Sequence, residues 1–259
     1  GTHPFSHWRD LELCADERYR RLVDEIGWPA RRLATHGIHY HDGVSSADPS
    51  VAIVNSLTHH LPLFLGLSAS SPFWNGYDTR LASARTKIFE ALPTAGLPPH
   101  LENWADFENY MDTLITAGAV RTIREVWWDV RPHPDFGTVE LRMCDGMTNL
   151  GDIAAVAALA QCLVSDLGDR FDNGEQLPTA REWVLKENKW LAARHGLDAE
   201  VIVDDAGTRR PVRGLVEDLV DRLEPTARRL GCASELAAVA TMARRPSSAE
   251  RQRAAFARR

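Results

Sequence analysis

A carboxylate and a guanidinium project the same way from the middle of an apolar strand. In GTVELRMCD, residues 137–145, Val139, Leu141 and Met143 alternate with Glu140 and Arg142. A period of two sets those charges side by side, ~7 Å apart, on the second face. A second stretch repeats the pattern with imidazoles: in HGIHYHDGV, residues 36–44, Ile38 and Tyr40 share one face and His39 and His41 the other. His39, His41 and Glu140 together compose a candidate divalent-metal set of two imidazoles and a carboxylate. The plainer alternative keeps one histidine hydrogen-bonded in the core and the other exposed. Bare H-x-H suits zinc, whereas magnesium prefers oxygen.

Arg142 turns the reading toward phosphoryl transfer. A guanidinium two residues from a metal-binding carboxylate has no obvious use in a zinc hydrolase. In phosphoryl transfer, the charge developing on phosphate oxygens is shared between metal ions and an arginine fork. Arg131, in WWDVRP, would lie on the adjacent strand and add a second fork. The competing account of Glu140 and Arg142 is an ordinary ion pair, worth ~1 kcal/mol at most on a surface. Arg85, in SARTKIF, is a candidate for holding a substrate carboxylate, against the commoner solvated helix arginine.

Other chemistries find little support. The chain has no GxxxxGK[ST] and no GxGxxG after a strand, so any ATP would be held by metals and side chains rather than by a glycine cradle. It has no GxSxG and no cysteine in an activating motif. Cys144 reads as a small buried thiol and Trp127 and Trp128 as core and interface aromatics. The hydroxyls of SASSPFW serve either a ligand or the backbone, with nothing to separate the two.

The elements that must position these residues follow from periodicity and punctuation. An amphipathic helix with Leu22, Val23 and Ile26 on its apolar side enters near Ala15 and is interrupted near Pro29. The H-x-H strand ends at a turn signal, Asp42-Gly43. Asp48 then caps a largely buried helix, with Pro49 in its first turn, that stops at Pro72. LASARTKIFEAL reads as a helix, PTAGLPPH as a loop that borders a site, and Asn103 caps a helix whose left-handed end is Gly118. EVWWDVRPHPDFGTVELRMCD reads as a hairpin with Pro132 and Pro134 confined to the connection. From Thr148 onward three helical stretches follow, separated by FDNGEQLP and DDAGTRRP, and an Arg-rich tail, RRPSSAERQRAAFARR, reads as a short exposed helix. Strands early and helices late indicate an α+β protein with an antiparallel sheet.

Composition bounds the partners. With 30 Lys+Arg against 36 Asp+Glu and a formal charge of -6, the chain lacks the basic footprint of a nucleic-acid binder. Its four cysteines show no CxxC and are expected as reduced thiols. The longest apolar run, LPLFLGLSASSPFW, falls short of the ~20 residues of a bilayer span. No membrane association is therefore expected, and the cytoplasm is the default location. The sequence opens GTHPFSHW without Met, as a processed or partial chain would.

GTHPF, RYRRLVDE, GIHYHDGV, LSASSPFWNGYDT, ALPTAG, WWDVRP, FGTVELRMCD and ENKWLAARHGLDAEVI, in this order and at these distances, resemble the carboxylate-amine ligase family, also called glutamate-cysteine ligase type 2. The resemblance runs from Gly1 to at least Val203. It implies a glutamine-synthetase-like fold, a curved antiparallel sheet with helices packed on one side and a helical C-terminal part, holding Mg²⁺ or Mn²⁺. It also implies that ATP phosphorylates a carboxylate, typically the γ-carboxylate of glutamate, and that an amine such as that of cysteine displaces phosphate to give an amide. By motif, His39 and Glu140 would be metal ligands, with His41 a further one. Arg142 would meet the transferred phosphate, and Arg131 and Arg85 would contact phosphate or substrate carboxylate. Residues 1–243 would be part of the catalytic domain and 244–259 the tail, with a homodimer as a further expectation. Family members usually begin with an additional segment whose first strand carries glutamates for the metals, and GTHPFSHWRDLELCADER does not replace it. The chain is thus expected to be a C-terminal portion of such a ligase, inactive without that segment. The rival expectations are a paralogue acting as a nucleotide or amino-acid binding module, and a zinc hydrolase built on H-x-H.

Overall fold

The computed structural model describes residues 1–258. Helix α1 (Glu17–Ile26) is capped by the Asp16 carboxylate, which accepts from Arg18 N–H, and ends at Gly27 with φ +74°; Pro29 then sits in the first turn of the short α2 (Trp28–Arg31). Strand β1 (Tyr40–Gly43) runs through the expected turn at Asp42-Gly43, because both residues pair with the hairpin strand behind them, Asp42 with Val139 and Gly43 with Thr138. Helix α3 (Ala47–Ser68) also departs from expectation at both ends. Ser46 rather than Asp48 is its N-cap, and it stops at Ser68, short of Pro72. Asp48 Oδ1 instead accepts the Trp104 N–H at 3.1 Å, which ties the start of α3 to a later helix.

A two-stranded ribbon, β2 (Phe73–Trp74) and β3 (Tyr77–Asp78), leads into α4 (Ala84–Phe89) and α5 (Trp104–Thr116). Asn103 caps α5 by accepting from Asp106 N–H, and Gly118 beyond its end has φ +69°, both as the sequence predicts. The hairpin is β4 (Val130–His133) and β5 (Thr138–Leu141), joined through a 3-10 turn at Pro134–Phe136. Pro132 lies inside β4 rather than in the connection; β4 is an edge strand, where a missing N–H is tolerated. The sheet is antiparallel in the order β1-β5-β4.

The rest is mainly helical: α6 (Leu150–Asp172), capped by Asn149, then α7 (Glu182–His195), a ribbon of β6 (Glu200–Ile202) and β7 (Arg209–Pro211), α8 (Val212–Leu230), α9 (Ala233–Arg244) and α10 (Ser248–Phe256). The ribbon and α9 are not visible in the periodicity. The tail helix α10 carries a Ser247–Glu250 capping box and lies on the loop after α3, with Ala249 buried and Gln252 donating to Ser70 O at 3.0 Å. The chain is therefore α+β, with small antiparallel sheets and a predominantly helical second half.

The core is organised around α3. Leu57, Leu61, Phe64 and Leu65 are fully buried and meet Val130, Val139 and Leu141 from the sheet and Leu159 and Leu163 from α6. Helices α3 and α6 are each long and apolar enough to cross a bilayer by length and composition alone, although the longest apolar run was expected to be too short. In this fold α3 is mostly buried, as befits the central helix of a core.

Asp42 is an exception on the apolar side of β1. Its Oδ2 is buried without a hydrogen-bond partner among the described residues, and burial pushes its pKa up to about 7. The unfolded chain ionises this carboxyl near pH 4 and the folded one only near pH 7, so its contribution to stability is full below pH ~4 and is lost as pH rises to ~7. Asp42→Asn is expected to raise Tm by a few degrees at pH 8, a gain that shrinks as pH falls from ~7 and is gone by pH ~4. Thermal melts at the two pH values check this, and an equal shift at both would contradict it.

Candidate functional site

Glu140 stands at the centre of the three-stranded sheet, with His41 of β1 and Arg131 of β4 as its cross-strand partners. All three side chains leave the face opposite Val139 and Leu141, as the alternation predicts. Arg131 Nε donates to Glu140 Oε2 at 2.7 Å, and its Nη1 donates to the carbonyls of Ile123 and Val126, clamping the turn that precedes β4. Arg142 Nη1 donates to Glu140 Oε1 at 2.5 Å. His39 Nδ1 lies 3.0 Å and His41 Nε2 3.4 Å from the same oxygen.

Glu140 is 2% exposed, so its environment sets its charge. Burial alone would raise its pKa, but the His39 hydrogen bond and the charges of Arg142 and Arg131 override it and hold the carboxyl well below its usual range. Burial lowers the His39 pKa, which keeps the imidazole neutral at pH 7. His39 Nδ1 is shared between two partners of opposite demand, the Glu140 carboxylate at 3.0 Å, which only accepts, and Arg142 Nη1 at 3.2 Å, which only donates. Burial and the neighbouring Arg131 charge lower Arg142 to about 10, still cationic at pH 7. Its Nε is buried without a partner among the described residues.

The expected metal set thus converges, but as a hydrogen-bonded cluster. His39, His41 and Glu140 meet one another around a single oxygen, and both carboxylate oxygens already accept from arginine. Among the described residues no group of three or more His, Cys, Asp or Glu is arranged to hold a cation. A Mg²⁺ ion seeks six mostly oxygen ligands. By themselves the described residues do not fit it.

Arg85 lies behind this cluster and is 4% exposed. Its Nη2 donates to the carbonyl of Arg142 at 3.1 Å and its Nη1 to that of Met143 at 3.2 Å, which holds the end of the strand carrying Glu140. Gly37 makes room for it: a Cβ there would come within 2.3 Å of Arg85 Nη2. Gly37→Ala is expected to push the guanidinium off its carbonyls and cost roughly 1–3 kcal/mol. A urea titration reads this as a lower midpoint, and an unchanged midpoint would show that Arg85 has room to shift.

Two functional groupings escape sequence reasoning. Asp145 is fully buried and gathers donors from SASSPFW and from the N-cap of α4: its Oδ2 accepts from Ser70 N–H at 2.9 Å and Ser71 Oγ at 2.6 Å, and its Oδ1 accepts from Ser83 Oγ at 2.9 Å. Lys189 of α7 is likewise buried and donates to Asp129 Oδ2 and, at 2.7 Å, to Glu90 Oε1. Asp129 in turn accepts the Arg142 N–H through its backbone carbonyl at 2.7 Å. The only sequence signals are polar residues at positions where the periodicity predicts burial.

The family model described as Glutamate-cysteine ligase family 2 (GCS2) matches residues 1–258. A protein of Frankia casuarinae named "Putative glutamate--cysteine ligase 2-1" is 56% identical over 258 residues, covering 100% of this chain and 68% of that protein. A protein of the same name from Frankia alni is 54% identical over 254 residues, 98% of this chain and 66% of that protein. "Putative glutamate--cysteine ligase 2" of Thermobifida fusca is 50% identical over 254 residues, 98% of this chain and 64% of that protein. The chain spans about two thirds of the length of the curated relatives it matches.

Proposed function

The chain belongs to glutamate-cysteine ligase family 2, and from that premise we propose that it serves an ATP-dependent joining of a carboxylate to an amine through an acyl phosphate. Glutamate and cysteine are the first substrates to test. The reading rests on one observation above the rest: two buried guanidinium groups, Arg131 and Arg142, converge on Glu140 at the polar face of the sheet. We read that sheet as belonging to the curved glutamine-synthetase-like sheet the family resemblance implies.

In the proposed reaction a carboxylate oxygen of the first substrate attacks the γ-phosphorus of ATP, and ADP leaves. The amine nitrogen then attacks the acyl carbon of the mixed anhydride, a proton is lost from nitrogen, and inorganic phosphate departs to leave an amide. Arg142 is assigned to the transferred phosphoryl group by its place in the family motif and by its cationic guanidinium at the polar face of the sheet, beside Glu140. Arg131 adds positive potential from the neighbouring strand, and Glu140 orients both forks. Arg85 acts as a positioning residue through its two carbonyl contacts rather than by touching substrate. A divalent ion would supply charge neutralisation of the phosphates; around Glu140 the described residues offer one the imidazoles of His39 and His41 and an already engaged carboxylate, and no step is assigned to it.

That engagement favours one second reading, a module that binds nucleotide or amino acid without turnover. Phosphate release from ATP and Mg²⁺ across a panel of carboxylates and amines separates the two. The ligase reading expects release that depends on both an acid and an amine. Nucleotide binding with no release for any pair, measured on the chain joined to the further segment its longer relatives carry, would sink it and leave the module.

A further inference from the structure

Four cysteines are free in this fold, and two of them meet. Cys162 lies within α6 and is fully buried; Cys232 is the N-cap residue of α9 and is half-buried. Their sulfurs are 3.5 Å apart although the residues are 70 positions apart in sequence. We propose that Cys162 and Cys232 form a redox-convertible disulfide site that reacts with small disulfide oxidants, clasping α6 to the turn between α8 and α9.

Reaching an S–S bond of about 2.0 Å requires the sulfurs to close by about 1.5 Å. The turn can supply it. Gly231, with φ +74°, ends α8 immediately before Cys232, and the Cys232 side chain caps no backbone group. Exposure decides which sulfur reacts first: Cys232 is reachable from solvent, whereas the buried Cys162 thiol is pushed up to about 12. In the first step Cys232 sulfur attacks one sulfur of the oxidant RSSR, the RS–SR bond breaks, and the departing thiolate takes the Cys232 proton as RSH. In the second, Cys162 sulfur attacks the Cys232 sulfur, the Cys232–SR bond breaks, and the second RSH leaves with the Cys162 proton. Two thiols are oxidised and one small disulfide is reduced to two thiols. The other two cysteines cannot do this: Cys14 is exposed with no thiol beside it, and Cys144 is fully buried, with burial raising it to about 12. Closure of a loop of this length constrains the unfolded chain strongly, so the oxidised protein should melt several degrees higher.

The test incubates the purified chain carrying Cys14→Ser with glutathione disulfide and reads intact mass, peptide map and Tm. The expected product is lighter by two hydrogen atoms, yields a peptide joining Cys162 to Cys232, melts higher, and reverts with dithiothreitol. A second variant, Cys162→Ser, should stop at the first step and keep a glutathione adduct on Cys232. A stable adduct on Cys232 with Cys162 still free in the parent, or two unmodified thiols, overturns the proposal. None of these readouts depends on the ligase reading, so either can fail without the other.

Discussion

Glu140→Gln is expected to lower Tm by roughly 10 °C at neutral pH, the largest stability loss available at the site. Glu140 is 2% exposed and balances two guanidinium groups that are themselves nearly enclosed. Removing one partner of a buried pair strands the other, which typically costs ~3–5 kcal/mol. Here one carboxylate serves two cations, and the glutamine amide would turn its N–H₂ toward a donor on one side whichever way it is placed. The pH profile adds a second signature. Because the folded carboxyl is held below its usual value, its stabilisation is present above pH ~4.5 and is lost as the pH falls. Wild-type Tm should therefore fall on acidification while the Gln variant stays flatter, and parallel curves would remove Glu140 as the counter-ion.

The second large effect is on turnover. Arg142→Ala is expected to reduce ATP-dependent phosphate release by ~10²–10³-fold, in the range seen when one positioned donor is removed from a developing oxyanion. Arg142→Lys should recover little, since an ammonium cannot reproduce a planar fork that holds Glu140 with one nitrogen and offers another. The proposed contact strengthens as charge develops on the transferred group, so the loss should fall mainly on kcat rather than on KM. A variant that loses affinity for the acid substrate while keeping kcat would move Arg142 from the phosphoryl group to the substrate. The Lys variant guards against misreading a folding defect, because it preserves the charge that Glu140 requires.

The placement of the candidate side chains is legible in the sequence where period two governs. Alternation alone places Glu140 and Arg142 on one face and His39 and His41 on another, and the hairpin brings Arg131 opposite Glu140. What alternation cannot convey is whom a charge serves once folded. Arg85 gives the same signal as any helix arginine, yet its contacts are the carbonyls of Arg142 and Met143. The hydroxyls around Ser70 and Ser71 were equally consistent with ligand and backbone, and the deciding group, Asp145, comes from 74 or 75 residues away. Boundary errors have a similar origin. Asp42-Gly43 is good turn chemistry that loses to strand pairing, and Asp48 is good capping chemistry diverted to Trp104. Helix α9 and the β6-β7 ribbon are too short or too mixed in pattern to stand out, and become stable through packing on α6, α7 and α8.

The charges of the site are gathered over very unequal spans. Arg131 and Glu140 are 9 residues apart and Glu140 and Arg142 only 2, whereas Arg142 and His39 are 103 apart. The hairpin can therefore assemble its ion cluster from local contacts, while the imidazoles arrive only when β1 docks against β5. In refolding this would separate the two seams of one small sheet in time, β4 with β5 closing early and β1 with β5 late. The imidazoles of the site are then the last of its groups to be put in place.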